Sequence, residues 1–238
     1  MRLTHYRRLG MAASLLVPAA ALVLPSMPSA HAAVDVQALV TQAEHNTNTV
    51  GTLMHHDTST ITTPARTVTF TAQGQEDETR NREKDFESVD VTSKTSAGKT
   101  QHLHYTADIV FINGTTYYRI SAPVQNNTWK SQKGATFNDP YTGGWKRGRT
   151  AVTFPKSFVF KQVGVSGGQT QVRANFTTAQ TAGTVDLWIS SGSKPYVVKE
   201  VLKYHATKSQ TGTANIVINL GPFNTSLTIL APTVGGTA

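Results

Sequence analysis

The chain contains no cysteine. That removes disulfide cross-links, a cysteine nucleophile and the N-terminal cysteine that carries a bacterial lipid anchor. Charged residues make up only 15% and aromatics 8%, and no long block of one charge sign occurs, so polybasic and acidic interaction tails are absent. No G-x-S-x-G is present to expose and activate a serine, and no basic helix or recognised reader motif points to nucleic acid. Long apolar runs are missing as well. The one extended stretch, Met11–Leu24, is too short and too broken by Pro18 and Pro25 for a comfortable membrane span.

That stretch has a different meaning in its context. Arg2, Arg7 and Arg8 precede it, and Ser29-Ala30-His31-Ala32-Ala33 follows as a small-residue cleavage pattern. Residues 1–33 therefore read as a secretory signal peptide, cut after Ala32 or Ala33, and are set aside from fold reasoning. The remaining chain, about 205 residues, suffices for one large β domain that buries a core without cross-links. An exported chain of this size without cysteine leans towards a bacterial envelope, secreted or wall-associated. The formal charge of +8 falls to +5 once the three signal arginines are removed, with one basic cluster at Lys146-Arg147-Gly148-Arg149. This modest excess suits solubility or weak attraction to anionic lipid or wall polymer. Asn113, Asn126, Asn175 and Asn224 head N-x-S/T sequons, which matter only in a glycosylating host.

Val34–Val50 predicts a helix: Val36, Leu39, Val40, Ala43 and Val50 share one face, and Asp35 can cap its start. From Gly51 the period changes to two. Arg66–Ala72 alternates Val68, Phe70 and Ala72 with threonines. Asp108–Ile112 and Thr115–Ile120 flank Asn113-Gly114, the signature of a type I′ hairpin. Further strands are predicted at Thr170–Thr177, Thr184–Ser190, Tyr196–Thr207, Thr213–Leu220 and Ser226–Ala231, punctuated by glycines and Gly221-Pro222. The charged Gln73–Glu87 stretch reads as a solvated hairpin whose carboxylates keep ordinary pKa values. Pro123–Gly148 is irregular, Thr150–Gly164 is equally compatible with helix, strand or lid, and Thr233–Ala238 is a fraying tail. One helix followed by roughly ten strands predicts a mainly antiparallel sheet curled around a helix, in a single α+β domain over 34–232.

Chemistry-bearing constellations are few. Asp186 and Glu200 fall in strands, where a solvent-facing position is the simple reading. His102-Leu103-His104 and His55-His56-Asp57 place imidazoles close together, but neither completes a zinc ligand set, so no metal and no cofactor is expected. Aromatic residues crowd into Tyr117–Phe160, either as a pocket lining or as the cap of a core.

The order of motifs is more telling. Phe111-Ile112-Asn113-Gly114-Thr115-Thr116-Tyr117-Tyr118 is followed by Trp129, then by Val185-Asp186-Leu187-Trp188-Ile189 and the Lys194-Pro195 turn. The chain closes with Gly221-Pro222-Phe223-Asn224-Thr225-Ser226-Leu227-Thr228-Ile229-Leu230-Ala231-Pro232. This resembles the bacterial envelope carriers related to the lipoprotein-localisation factor, and most the mycobacterial-type lipid-carrier lipoproteins. The resemblance implies an unclosed β half-barrel of about ten or eleven strands wrapped around one or more helices, with an acyl chain held between sheet and helix. Two departures stand out: the lipidated cysteine is missing, and Asp139–Gly164 is aromatic and glycine-rich where the family is helical. The first implies a released protein.

The leading expectation is a non-catalytic carrier or binding protein for a lipid, acyl chain or lipoprotein. Its pocket candidates are Val36, Leu39 and Val40 on the helix, facing Val172, Phe176, Leu187, Ile216 and Ile218 on strands. The same residues would be plain core if the sheet closes on the helix. The alternative is an envelope interaction or wall-binding protein that uses Trp129–Phe160 to grip a partner protein or wall polymer.

Overall fold

The computed structural model describes residues 35–95, 97–137, 145–146, 154–207 and 211–234. The stretch read as a signal peptide, residues 147–149 of the basic cluster and residues 235–238 of the expected tail lie outside them. The order is α1 (Val36–Asn48), β1 (Thr52–Thr62), β2 (Arg66–Asp77), β3 (Arg82–Lys94), β4 (Thr100–Ile112), β5 (Thr115–Ile120), β6 (Lys130–Lys133), β7 (Thr136–Phe137), β8 (Trp145–Lys146), β9 (Lys161–Ser166), β10 (Gln169–Thr177), β11 (Thr181–Ser190), β12 (Val197–Ala206) and β13 (Thr213–Phe223).

Eleven of these strands form one open antiparallel sheet, ordered β6-β5-β4-β3-β2-β1-β13-β12-β11-β10-β9, while β7 and β8 pair separately. The chain's first strand lies beside its last: β1 pairs with β13 through Asp57↔Ile218 and Ser59↔Ile216, and the long connection runs from β6 at one edge to β9 at the other. The two end strands, β6 and β9, do not meet. The fold is an unclosed half-barrel with one helix among the described residues.

The helix forms where its period predicts. The Asp35 carboxylate accepts from the backbone N–H groups of Gln37 and Ala38, both at 3.0 Å, satisfying donors that the helix start leaves open. It ends two residues early, with Thr49 as C-cap, and Val50 still enters the core. Two buried polar groups fasten its last turn to the sheet: Asn46 Nδ2 donates to Pro195 O at 2.8 Å, and Thr47 Oγ1 accepts from Val197 N at 2.9 Å. Asn113 and Gly114 adopt φ of 52° and 78° between β4 and β5, the two left-handed positions that a type I′ turn requires.

Directly opposed residues of an antiparallel ladder share a face, so the registers define rungs across the sheet. One rung runs Val172–Leu187–Glu200–Ile218–Asp57–Ala72–Glu87–Ala107–Ile120 from β10 to β5. Val172 and Leu187 pack with α1, so this is the inner face. The neighbouring outer rung runs Trp188–Lys199–Asn219–His56–Gln73–Phe86–Asp108–Arg119.

Two expectations change here. Ser226–Ala231 joins no ladder; it is an extended strap that buries Ile229 against Val110 and Ile112 on the outer face, beside Tyr117 and Trp129. Thr52 Oγ1 donates to Thr225 O and Arg82 Nη1 to Ile229 O, which gives the strap polar anchors without a paired strand. The Gln73–Glu87 stretch is the expected hairpin, joining the end of β2 to the start of β3, but it is not a solvated one: Glu76, Glu83, Asp85 and Glu87 are buried on the inner face.

Candidate ligand-binding face

The inner face divides into three parts. Over β9–β13 lies an apolar core in which Val40, Ala43, Val50 and Leu53 meet Val172, Val185, Leu187, Ile189 and Leu202. Phe154, Phe158 and Phe176 close its edge; the Phe158 and Phe176 rings stack with centroids 5.5 Å apart and 11° between planes. Over β3–β5 a second cluster gathers Val89, Tyr105, Ala107, Ile109 and Ile120. Between them, on β12, β13, β1 and β2, Ile61, Val68, Phe70, Tyr204 and Ile218 are only half-buried, beside the buried Ala72, Ala214 and Ile216.

All eight pocket candidates fall in the first cluster, but they are not equivalent. Val40, Val172, Leu187 and Ile216 are fully buried, whereas Val36, Leu39, Phe176 and Ile218 are partly buried at its margin. Val172 and Leu187 have no exposed surface at all, so no water-sized space touches them. They pack against neighbours. The half-buried group borders the middle strip, where Ile61, Val68 and Phe70 on β1 and β2, and Tyr204 on β12, also keep surface. The opposed Ile61↔Val68 and Ile61↔Ala214↔Tyr204 positions show that these side chains form one continuous inner strip.

Two rungs farther in, the strip meets charge. His55, buried in the sheet, sets Nδ1 3.2 Å from Asp57 Oδ2 and Nε2 3.3 Å from Asp85 Oδ1, with Glu76 at 3.8 Å. The Asp85 contact crosses an intervening strand, because His55 opposes Gly74 and Gly74 opposes Asp85. Only glycine allows this: a Cβ on residue 74 would stand 1.9 Å from His55 Nε2 and 2.2 Å from Asp85 Oδ1. Burial by itself would strip the proton from His55, but the carboxylates of Asp57 and Asp85 outweigh it and lift the imidazole to about 10. His55 is an imidazolium at neutral pH.

The sequence reading underrated these groups. Glu200 is on the inner rung, not the solvent face, separated from Asp57 only by Ile218. Desolvation first, and the Asp57 charge second, push it up to about 7. Asp186 does face outward, yet it is buried beneath a two-pronged contact from Arg173, with Nε at 2.7 Å and Nη2 at 3.1 Å. A usable signal existed: Glu83, Asp85 and Glu87 alternate with Lys84 and Phe86, placing the acids on one face. His102 and His104 are exposed on the outer side, bound to Thr92 Oγ1 and Asp90 Oδ1 respectively. His55 and Asp57 do come together, though no group of three or more potential metal ligands is found among the described residues.

No family model matches the chain, and no curated protein matches it. Solved structures do. LprF from Mycobacterium bovis aligns over 82% of this chain and 96% of its own, with 14% identity and a TM-score of 0.46. The Mycobacterium tuberculosis lipoprotein LppX aligns over 82% of this chain and 100% of its own, with 9% identity and a TM-score of 0.42. A putative AttH from Nitrosomonas europaea is more distant, with 10% identity, a TM-score of 0.21, and 76% of this chain set against 53% of that one.

What a ligand would meet is this chain's own inner face. That face offers a half-buried apolar strip open along β1 and β2, and an enclosed polar end. No nucleophile–base pair accompanies it: His55 is already held between carboxylates, and no serine or threonine hydroxyl contacts it among the described residues.

Proposed function

We propose that the protein is an exported, non-catalytic carrier or binding protein for a lipid, acyl chain or acylated protein in a bacterial cell envelope, released rather than lipid-anchored. The observation that supports this reading is the half-buried inner strip Ile61, Val68, Phe70 and Ile218, extended by Phe176, Val36 and Leu39. These apolar side chains keep accessible surface on the concave face, whereas Leu187 behind them is fully covered. An acyl chain laid along them gains about 0.8 kcal/mol for each methylene taken out of water, before ordering costs. Val40, Val172, Leu187 and Ile216 form the packed wall behind the strip.

The test is detergent-free purification followed by native mass spectrometry, together with titration of the apolar fluorophore N-phenyl-1-naphthylamine. A co-purifying acyl species, or saturable fluorescence that Ile61→Arg removes while the circular dichroism spectrum is kept, supports the carrier reading. A lipid-free protein that leaves the fluorophore unbound overturns it.

A further inference from the structure

The two edges of the open sheet are finished differently. β6 closes one side with Lys130 and Lys133, both exposed, the kind of side chain that keeps an edge strand soluble and unpaired. β9 closes the other with Val163 and Val165 exposed, and Val159, just ahead of it, is 69% exposed. Three of the six exposed large hydrophobic side chains among the described residues thus fall within Val159–Val165. Apolar residues exposed singly are ordinary, but a run of them along one edge marks an interaction surface. The exposure is built into the fold. Phe158 and Phe160, on either side of Val159, turn into the core, Phe158 stacked on Phe176 and Phe160 buried, and this leaves Val159 pointing out.

Charge follows the same edge. From Phe154 to Val185 the sequence holds no aspartate or glutamate. Lys156, in the turn closed by Phe158 N–H donating to Pro155 O at 2.9 Å, and Lys161 flank Val159, and both are exposed. The nearby carboxylates are engaged elsewhere: Asp35 caps α1, Glu44 Oε1 accepts from Phe154 N–H at 3.4 Å, and Asp186 is held by Arg173.

We infer that this edge docks on an anionic lipid bilayer, with Val159, Val163 and Val165 entering the headgroup region and Lys156 and Lys161 meeting lipid phosphates. Apolar side chains with cations beside them are what holds a peripheral protein to such a surface. The competing occupant is a strand from another protein chain, and the edge is poorly made for one. Gln171 opposes Gly164 while Val172 opposes Gln162, so β9 carries a bulge, and Lys161 opens the strand; bulges and lysines both block strand addition. The inference goes beyond the carrier reading and holds for an empty protein. The two are compatible in space, since Phe158 and Phe176 border both this edge and the apolar core.

The full mature chain is floated with vesicles of phosphatidylcholine, alone or with about 30% phosphatidylglycerol, at about 0.1 M salt. Binding is expected to the anionic vesicles only, and should fall at about 0.5 M salt. A lysine near such a surface contributes about fivefold, so Lys156→Gln with Lys161→Gln should weaken binding about twentyfold. Lys130→Gln with Lys133→Gln makes the same change in net charge at the opposite edge and should weaken it less than about twofold. Because the chain has no cysteine, Val163→Cys provides a unique thiol. A nitrobenzoxadiazole label there should brighten and shift to shorter wavelength on the vesicles, and the same label on Ser131→Cys in β6 should not. Equal losses from the two lysine pairs, or a label at 163 that stays unchanged on bound protein, overturn the assignment. Absence of binding to either vesicle also overturns it and leaves the carrier reading, tested by the apolar fluorophore, standing. A chain that ignores vesicles but forms a dimer dispersed by Val163→Asp gives the edge to a second copy instead.

Discussion

Replacing Gly74 with alanine probes the charge contact at the centre of the sheet. The added Cβ would lie 1.9 Å from His55 Nε2, about 1.6 Å short of an ordinary non-bonded contact. The ring is fixed between Asp57 and Asp85 and cannot retreat without lengthening its 3.3 Å approach to Asp85. Overfilling alone costs about 1–3 kcal/mol, and breaking a buried charge contact about 3–5 kcal/mol. These overlap, since the same displacement causes both, so we expect a total loss of about 3–5 kcal/mol. For a domain of this size that lowers Tm by roughly 6–20 °C. Urea unfolding followed by tryptophan fluorescence measures it, with Gly164→Ala as control, where the nearest atom to the new Cβ is 4.0 Å away. The pH dependence has a definite sign. His55 is raised from 6.5 to about 10 in the folded state, so its charge contributes fully below 6.5 and is lost as pH climbs towards 10. The gap between wild type and Gly74→Ala should narrow across that window. A variant within about 0.5 kcal/mol of wild type, like an ordinary surface change, would refute the reasoning.

Three further outcomes follow from the same geometry. Glu200 is raised from 4.5 to about 7, so its charged form penalises the fold increasingly as pH rises through that interval; Glu200→Gln should match wild type near pH 4.5 and exceed it above 7 by at most about 3 kcal/mol in urea unfolding. Leu187→Ala opens a cavity in the fully packed wall and should cost about 2–5 kcal/mol by the same assay, whereas Ile218→Ala, already half-open, should cost less. Ile229→Ala should loosen the outer strap, lower stability by about 2–4 kcal/mol and shift the fluorescence of Trp129, which packs beside it.

What could be read from the sequence was whatever depends on local spacing. The helix face of Val36, Leu39, Val40 and Ala43, the Asp35 cap and the Asn113-Gly114 turn each need only a few residues of context, and each forms where expected. The strap at Ser226–Ala231 was misread because an alternating apolar segment satisfies the strand pattern whether or not a ladder receives it. The acids of β3 were misread for a different reason. Whether Glu83, Asp85 and Glu87 meet water depends on which face the whole strand turns inward, and that is set by the partners Phe111, Ile109 and Ala107. Extending the Asn113-Gly114 hairpin register backwards places Phe111, Ile109 and Ala107 on one face of β4, but joining β3 to that face needs the next turn as well. The Glu200 position is less legible still, because it depends on β13 lying between β12 and β1, a pairing between the two ends of the domain.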